Sequence, residues 1–333
     1  MPEIPDKLKE VTEVLISPVI DYTAILNATK YLKALFYEAT GFNDYEPANL
    51  QNIITGTGLA ISPVSAAFCI TDMMRTRIFL LGIRQAIEER LKKAPGKPVI
   101  VLYAGTGPFG TLLTPLLTLF SPEQLQIILL EINPGSIAYL QKAISHFRMG
   151  PYIIDLLHAD ASTFFISPKH QPDILVSETM KPALEKEPQV SITANLISQC
   201  NKSPVLIPEC IRVEAALIGN IAKPGFTILP LKLLMELTAE TAAIIQNNPQ
   251  SLPAFSKGIE VEITMPADPS CTQLVLLTHI KVFGQHILQF NECGLTIPHR
   301  LLDLGISNEW PRKFLFKYHA GTVPGFVCTA IQV

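Results

Sequence analysis

Charge is in short supply in this chain, and what there is nearly cancels. Charged side chains make up 17% of the 333 residues, 26 Lys and Arg against 29 Asp and Glu, for a formal net charge of -3. A chain so weakly charged has no overall field to hold nucleic acid, so binding driven by phosphate neutralisation is not expected. Long apolar runs are missing as well. No stretch approaches the roughly 20 uncharged residues that span a bilayer, so no membrane partner is expected. The start, MPEIPDKLKEVTEV, lacks the basic and apolar regions of a secretion signal. Six cysteines (Cys69, Cys200, Cys210, Cys271, Cys293 and Cys328) form no CxxC and no regular Cys/His spacing. That scatter argues against zinc or any other metal site and fits free thiols in a reducing cytoplasm. Tryptophan occurs once, at Trp310.

What is present is apolar and patterned. Hydrophobic residues make up 48%, which excludes extended disorder, and the length suffices for more than one domain. Residues 1–94 read mainly as helix, with ALFYEAT and AAFCITDMMRTRIFLLGIRQAIEERLKK showing helical periodicity and ITGTGLA breaking it. Over 95–208 the texture changes. PVIVLY, QIILLEI, YIIDLLHAD, QPDILVSE and SPVLIP are short apolar runs of the kind found in strands covered on both faces. Between them lie TLLTPLLTLF, NPGSIAYLQKAISHF and EPQVSITANLISQC, which read as helices. Alternation of this kind predicts right-handed crossovers and a parallel sheet, an α/β Rossmann-like domain. Over 209–333, IRVEAALIG, GIEVEITM, QLVLLTHIKVF, QHILQF, RKFLFKYH and GFVCTAIQV read as strands of an antiparallel β domain. LKLLMELTAETAAIIQNN, 231–248, reads as a helical insertion in it.

The loop Tyr103-Ala104-Gly105-Thr106-Gly107-Pro108 sits directly after the first parallel strand. Glycine there lets the backbone approach a ligand closely at the sheet edge, with Tyr103 as a packing residue. Glu131 ends the second strand, where a carboxylate can accept both ribose hydroxyls of a nucleoside and exclude the 2′-phosphate of NADP. Asp160 and Ala161 end the third strand, where an acid can accept an adenine amino group. Gly105, Gly107 and Gly110 also satisfy GxGxxG, so spacing alone leaves a dinucleotide-dependent dehydrogenase open. The fourth strand separates the two readings.

There, DILVSETMKPALEKE resembles the double-glutamate loop of protein arginine methyltransferases, in which a strand runs into Ser-Glu and a second Glu follows nine residues later. Ser177, Glu178, Met180 and Glu187 carry the match. DMMRT, with Asp72, Arg75 and Thr76, resembles the family's helix before the sheet, whose arginine pairs with the cofactor's carboxylate. LYAGTGPFG and LEINP look closest to the symmetric-dimethylating branch, and VLIPECIRVEAALI matches the crossing into the family's β domain. The resemblance covers residues 70 to 220 closely and the rest in outline. It implies S-adenosyl-L-methionine as cofactor, bound by Arg75, Tyr103, Gly105, Thr106, Gly107, Glu131, Asp160, Ala161 and Glu178, and it allows a homodimer. The family's threonine-histidine-tryptophan loop has an echo in Thr278-His279-Ile280, with Ile in place of the indole.

Two carboxylates make chemical sense opposite a methyl donor. Arginine is protonated in water, with a pKa above about 12, and its nitrogens are poor nucleophiles. Paired acids can bind the planar guanidinium in fork geometry and draw its positive charge away from the attacking nitrogen. Glu178 and Glu187 are the candidate catalytic pair, with His279 as a candidate proton acceptor. The substrate expected is an arginine-containing protein or peptide. Two other readings stand beside it: a methyltransferase for a small cationic or amine metabolite, and a cofactor-binding protein without catalysis.

Overall fold

The computed structural model describes residues 5–219, 225–264, 268, 270–305 and 312–331. Two helices lead, α1 (Asp6–Leu15) and α2 (Tyr22–Thr40). The Asp21 side chain caps α2 by accepting from the Ala24 N–H, and Gly41 ends it in the left-handed conformation. ITGTGLA does more than break the helices. It folds as a hairpin of β1 (Ile53–Thr55) and β2 (Gly58–Ala60), strands that the reading as a break between helices did not include. Then come α3 (Pro63–Phe68) and α4 (Met73–Lys93).

The parallel sheet uses β3 (Val99–Ala104), β4 (Leu125–Glu131), β5 (Ile153–His158), β6 (Ile174–Ser177) and β7 (Val205–Ile207), with α5 (Pro134–His146) and α6 (Gln189–Ser198) in the crossovers. Its order is β5-β4-β3-β6-β7, every pair parallel. The chain order reverses beside β3, a switch point that leaves a crevice at the carboxyl ends of β3, β4 and β6. TLLTPLLTLF does not form the expected helix. It is turns and one short 3₁₀ segment, Thr114–Thr118. Pro115 lacks the N–H an α-helix would use, and the Thr114 hydroxyl bonds back to the Phe109 and Gly110 carbonyls instead.

The remainder is antiparallel. β8 (Cys210–Ile218), β9 (Ile228–Leu237), α7 (Ala239–Asn247), β10 (Ile259–Ile263), β11 (Gln273–Phe283), β12 (His286–Leu288), β13 (His299–Asp303), β14 (Arg312–His319) and β15 (Gly325–Ile331) follow in order. One sheet runs β12-β11-β8-β9 with β13 beside β11, and a second runs β10-β14-β15. The expected helical insertion at 231–248 is half strand. β9 pairs along β8, and only the stretch from Ala239 is helical, started by a Thr238/Thr241 capping box. Pro230 is tolerated because β9 is an edge strand. Trp310 lies outside the described residues.

Helix α4 ties the sheets together. Its buried face includes Phe79, Leu80, Ile83 and Ile87, and Gly82 lets it approach β11 so closely that a Cβ there would stand 2.6 Å from Val282 Cγ1. One continuous core runs through the leading helices, the parallel sheet and the antiparallel strands.

Candidate active site

A single cavity gathers residues from the ends of β3, β4, β5 and β6, from α4, and from the β1–β2 hairpin. At its floor, Gly105 and Gly107 adopt φ of 74° and 63°, which only glycine adopts without strain. Gly105 is required for a second reason: a Cβ there would lie 2.3 Å from Thr179 Cγ2, on the loop that follows Glu178. The glycine turn and the two-glutamate loop therefore touch each other directly. Tyr103 is buried in β3, and burial together with the nearby Glu178 charge raises its hydroxyl well above the ordinary range.

Glu131 is buried at the end of β4, where its carboxylate accepts from the Gly107 N–H at 2.7 Å and the Asn133 N–H at 2.8 Å. Burial pushes its pKa up, and these donors pull against that shift. The Thr106 hydroxyl donates to Oε2 as well, at 3.5 Å, and the carboxylate lines the cavity. Asp160 accepts through Oδ1 from the Ser162 N–H and hydroxyl, at 2.8 and 2.7 Å, and it lines the cavity with Ala161.

At the opposite end, Arg75 from α4 donates to Glu178 Oε2 in a part-buried ion pair, while Glu178 Oε1 is buried with no hydrogen-bond partner. Burial pulls the Arg75 guanidinium down, but the neighbouring Cys69 and Glu178 groups outweigh it and hold its pKa high. Glu178 is raised by burial, with Arg75 drawing it back. Glu187 has 6% of its surface exposed and also lines the cavity. Burial first, then the Glu178 charge, push it up to about 7. Two carboxylates thus share one cavity with one guanidinium.

The loop carrying Glu187 is held in an expensive shape. Ala183, Leu184 and Lys186 all have φ near +60°, a conformation that costs L residues roughly 1–3 kcal/mol each. The antiparallel strands over-determine it. Thr278 Oγ1 accepts from the Ala183 N–H at 2.7 Å, Tyr318 donates to the Leu184 carbonyl at 2.9 Å, and Lys186 N–H donates to the Pro324 carbonyl at 2.7 Å. Ser177 and Met180, the other motif residues, are buried and pack the loop from below.

His279 stands apart from this constellation. On β11 its neighbour Thr278 faces inward, so period-two alternation turns His279 outward. It is exposed, its Nε2 lies 3.2 Å from Glu214 Oε2, and it does not line the cavity. The expectation that it accepts a proton is corrected on that geometry. Sequence reasoning also missed the hairpin residues Thr55, Leu59, Ala60 and Ile61, all of which line the cavity. The two glycines of ITGTGLA were the only available sign of them.

Among the described residues no group of three or more His, Cys, Asp or Glu is placed to hold a metal, and no helix is long and apolar enough to cross a membrane. No family model and no curated protein sequence matches the chain. Solved structures do. The Trypanosoma brucei PRMT1 enzyme-prozyme heterotetrameric complex with AdoHcy superposes with a TM-score of 0.53 at 11% identity, over 79% of this chain and 96% of that one. A crystal structure of PRMT6 gives a TM-score of 0.56 at 10% identity, over 81% and 99%. Arabidopsis thaliana protein arginine methyltransferase 10 gives 0.52 at 11%, over 75% and 87%. The fold is that of the protein arginine methyltransferases, a parallel sheet flanked by helices and joined to separate antiparallel sheets, and the likeness does not separate the family's branches.

Proposed function

We propose that this chain is an S-adenosyl-L-methionine-dependent methyltransferase acting on the guanidinium nitrogen of arginine in a protein or peptide. The observation that carries the reading is Glu178, largely shielded, and Glu187, buried, both lining the cavity that contains the glycine turn and Glu131. Solved neighbours of the same fold include a complex with AdoHcy, the demethylated form of that cofactor.

The residues present fit the cofactor. Glu131 lines the cavity as an acceptor for ribose hydroxyls, Gly105 and Gly107 bring the backbone to its floor, Asp160 stands ready for a base amino group, and Arg75 is a cation for a carboxylate. When bound, the cofactor supplies the methyl group as a sulfonium substituent. The protein's share is positioning and charge. Glu178 and Glu187 accept hydrogen bonds from the guanidinium and hold it in one plane. A cationic guest offsets the burial and the Glu178 charge that raise the Glu187 pKa, so binding favours the ionised pair. Arg75 serves both halves of the site, because any carboxylate it takes up competes with Glu178.

The test is transfer of labelled methyl from S-adenosyl-L-methionine to arginine-rich peptides, histones and a pool of small amines. Label on arginine is the expected result. Label confined to small amines overturns the acceptor assignment, and cofactor binding without any transfer overturns catalysis.

A further inference from the structure

The β1–β2 hairpin belongs to neither the parallel nor the antiparallel sheets; its two strands pair only with each other. Two strands of three residues are marginal by themselves, so the hairpin owes its place to what it touches. It touches both ends of the cavity. At the turn, Thr57 Oγ1 donates to Ser162 Oγ at 2.9 Å, and the Ser162 hydroxyl donates to Asp160 Oδ1. Thr55 stiffens this turn from inside, donating to the Gly58 carbonyl at 2.8 Å and accepting from the Thr57 N–H at 3.1 Å.

At the other end, Leu59 N–H donates to the Lys186 carbonyl at 2.8 Å. Gly58, with φ of 149°, lies against the chain on both sides of Glu187. A Cβ there would stand 2.9 Å from Lys186 O and Pro188 N, and 3.1 Å from the Glu187 carbonyl carbon. Lys186 is itself in the left-handed region, gripped by Pro324 on one side and Leu59 on the other.

From these contacts we infer that the hairpin is a positioning roof over both halves of the active site, with Gly58 and Leu59 setting the place of Glu187 and Thr57 setting that of Asp160 through Ser162. The inference rests on the methyl-transfer reading for what the two acids bind. Gly58, Leu59 and Thr57 are positioning residues, since each acts through a neighbour. The hairpin's two ends should then affect different kinetic quantities, which general loosening of the fold would not do.

The experiment uses the full chain, with thermal unfolding as the folding control, calorimetric binding of S-adenosylhomocysteine, and methyl transfer to an arginine-rich peptide. Thr57→Val removes the bond to Ser162, worth about 1 kcal/mol, along with the 3.2 Å contact to Thr55 Oγ1, and should weaken S-adenosylhomocysteine roughly fivefold, with kcat at saturating cofactor within about twofold. Thr57→Ser restores the affinity. Gly58→Ala pushes the backbone that carries Glu187, so kcat should fall about tenfold or more, with S-adenosylhomocysteine affinity within about twofold. Unchanged affinity in Thr57→Val, unchanged kcat in a folded Gly58→Ala, or parallel loss of both quantities in both variants overturns the roof. If Gly58→Ala does not fold, the Thr57→Val and Thr57→Ser pair decides. A wild-type chain that binds S-adenosylhomocysteine but methylates no arginine sinks the acceptor assignment, while the Thr57 measurements still judge the hairpin.

Discussion

Glu178 pairs with Arg75, whereas Glu187 makes no ion pair of its own among the described residues. Glu178→Gln removes a charged positioning contact and frees Arg75. Affinity for S-adenosylhomocysteine should stay at or above that of the wild type, while methyl transfer drops by at least about 100-fold; near-normal turnover would remove the two-carboxylate mechanism. Glu187 has a sign that can be worked out. Its pKa rises from 4.5 unfolded to about 7 folded, so the folded chain binds the extra proton across that window and loses stability as pH climbs through it. At about 1.4 kcal/mol per unit, the burden above pH 7 is on the order of 3 kcal/mol. Glu187→Gln should therefore melt several degrees above wild type at pH 8, with the gap closing near pH 4.5. Equal melting temperatures at pH 8 would show that Glu187 is not held in a dry site. In the wild type, kcat/KM for a cationic acceptor should fall as pH drops below about 7, because a protonated Glu187 cannot hold the cation.

At the scale of elements, the loop between the two glutamates is shaped by strands far away in sequence. Thr278→Val keeps the volume but leaves the buried Ala183 N–H without an acceptor, at a cost of about 1–3 kcal/mol. The expected outcome is a lower melting temperature and a lower kcat, with S-adenosylhomocysteine affinity near that of wild type. A loss of affinity equal to the loss in kcat would contradict local clamping of the loop. The parallel strands and the helices α5 and α6 were legible because continuous apolar runs and amphipathic segments differ in period. The glycine turn, Glu131 and the Glu178–Glu187 spacing were legible for a related reason: each sits within a few residues of a strand end. ITGTGLA, TLLTPLLTLF and the first half of 231–248 were misread, since short apolar or Gly/Thr-rich stretches carry no decisive period and their pairing partners lie elsewhere.

Across the whole molecule, the antiparallel strands act as the brace for the site, and α4 connects them to the parallel sheet. Gly82→Ala would drive a methyl group to 2.6 Å from Val282 Cγ1 and cost roughly 1–3 kcal/mol by overpacking. Combining it with Val282→Ala should recover part of that loss, and a strictly additive double variant would show that the helix and strand do not meet there. The sequence by itself determined the parallel sheet, the glycine turn and the presence of two acids nine residues apart, because these depend on local periodicity and on backbone conformations that particular residues permit. Only the tertiary structure decided that Arg75 faces Glu178, that His279 turns away while Thr278 grips the acidic loop, and that a small hairpin touches the chain beside Glu187 and, through Ser162, Asp160. Those facts depend on which side of a strand faces the core and on contacts between residues more than a hundred positions apart, such as Leu59 and Lys186, and no local pattern encodes either.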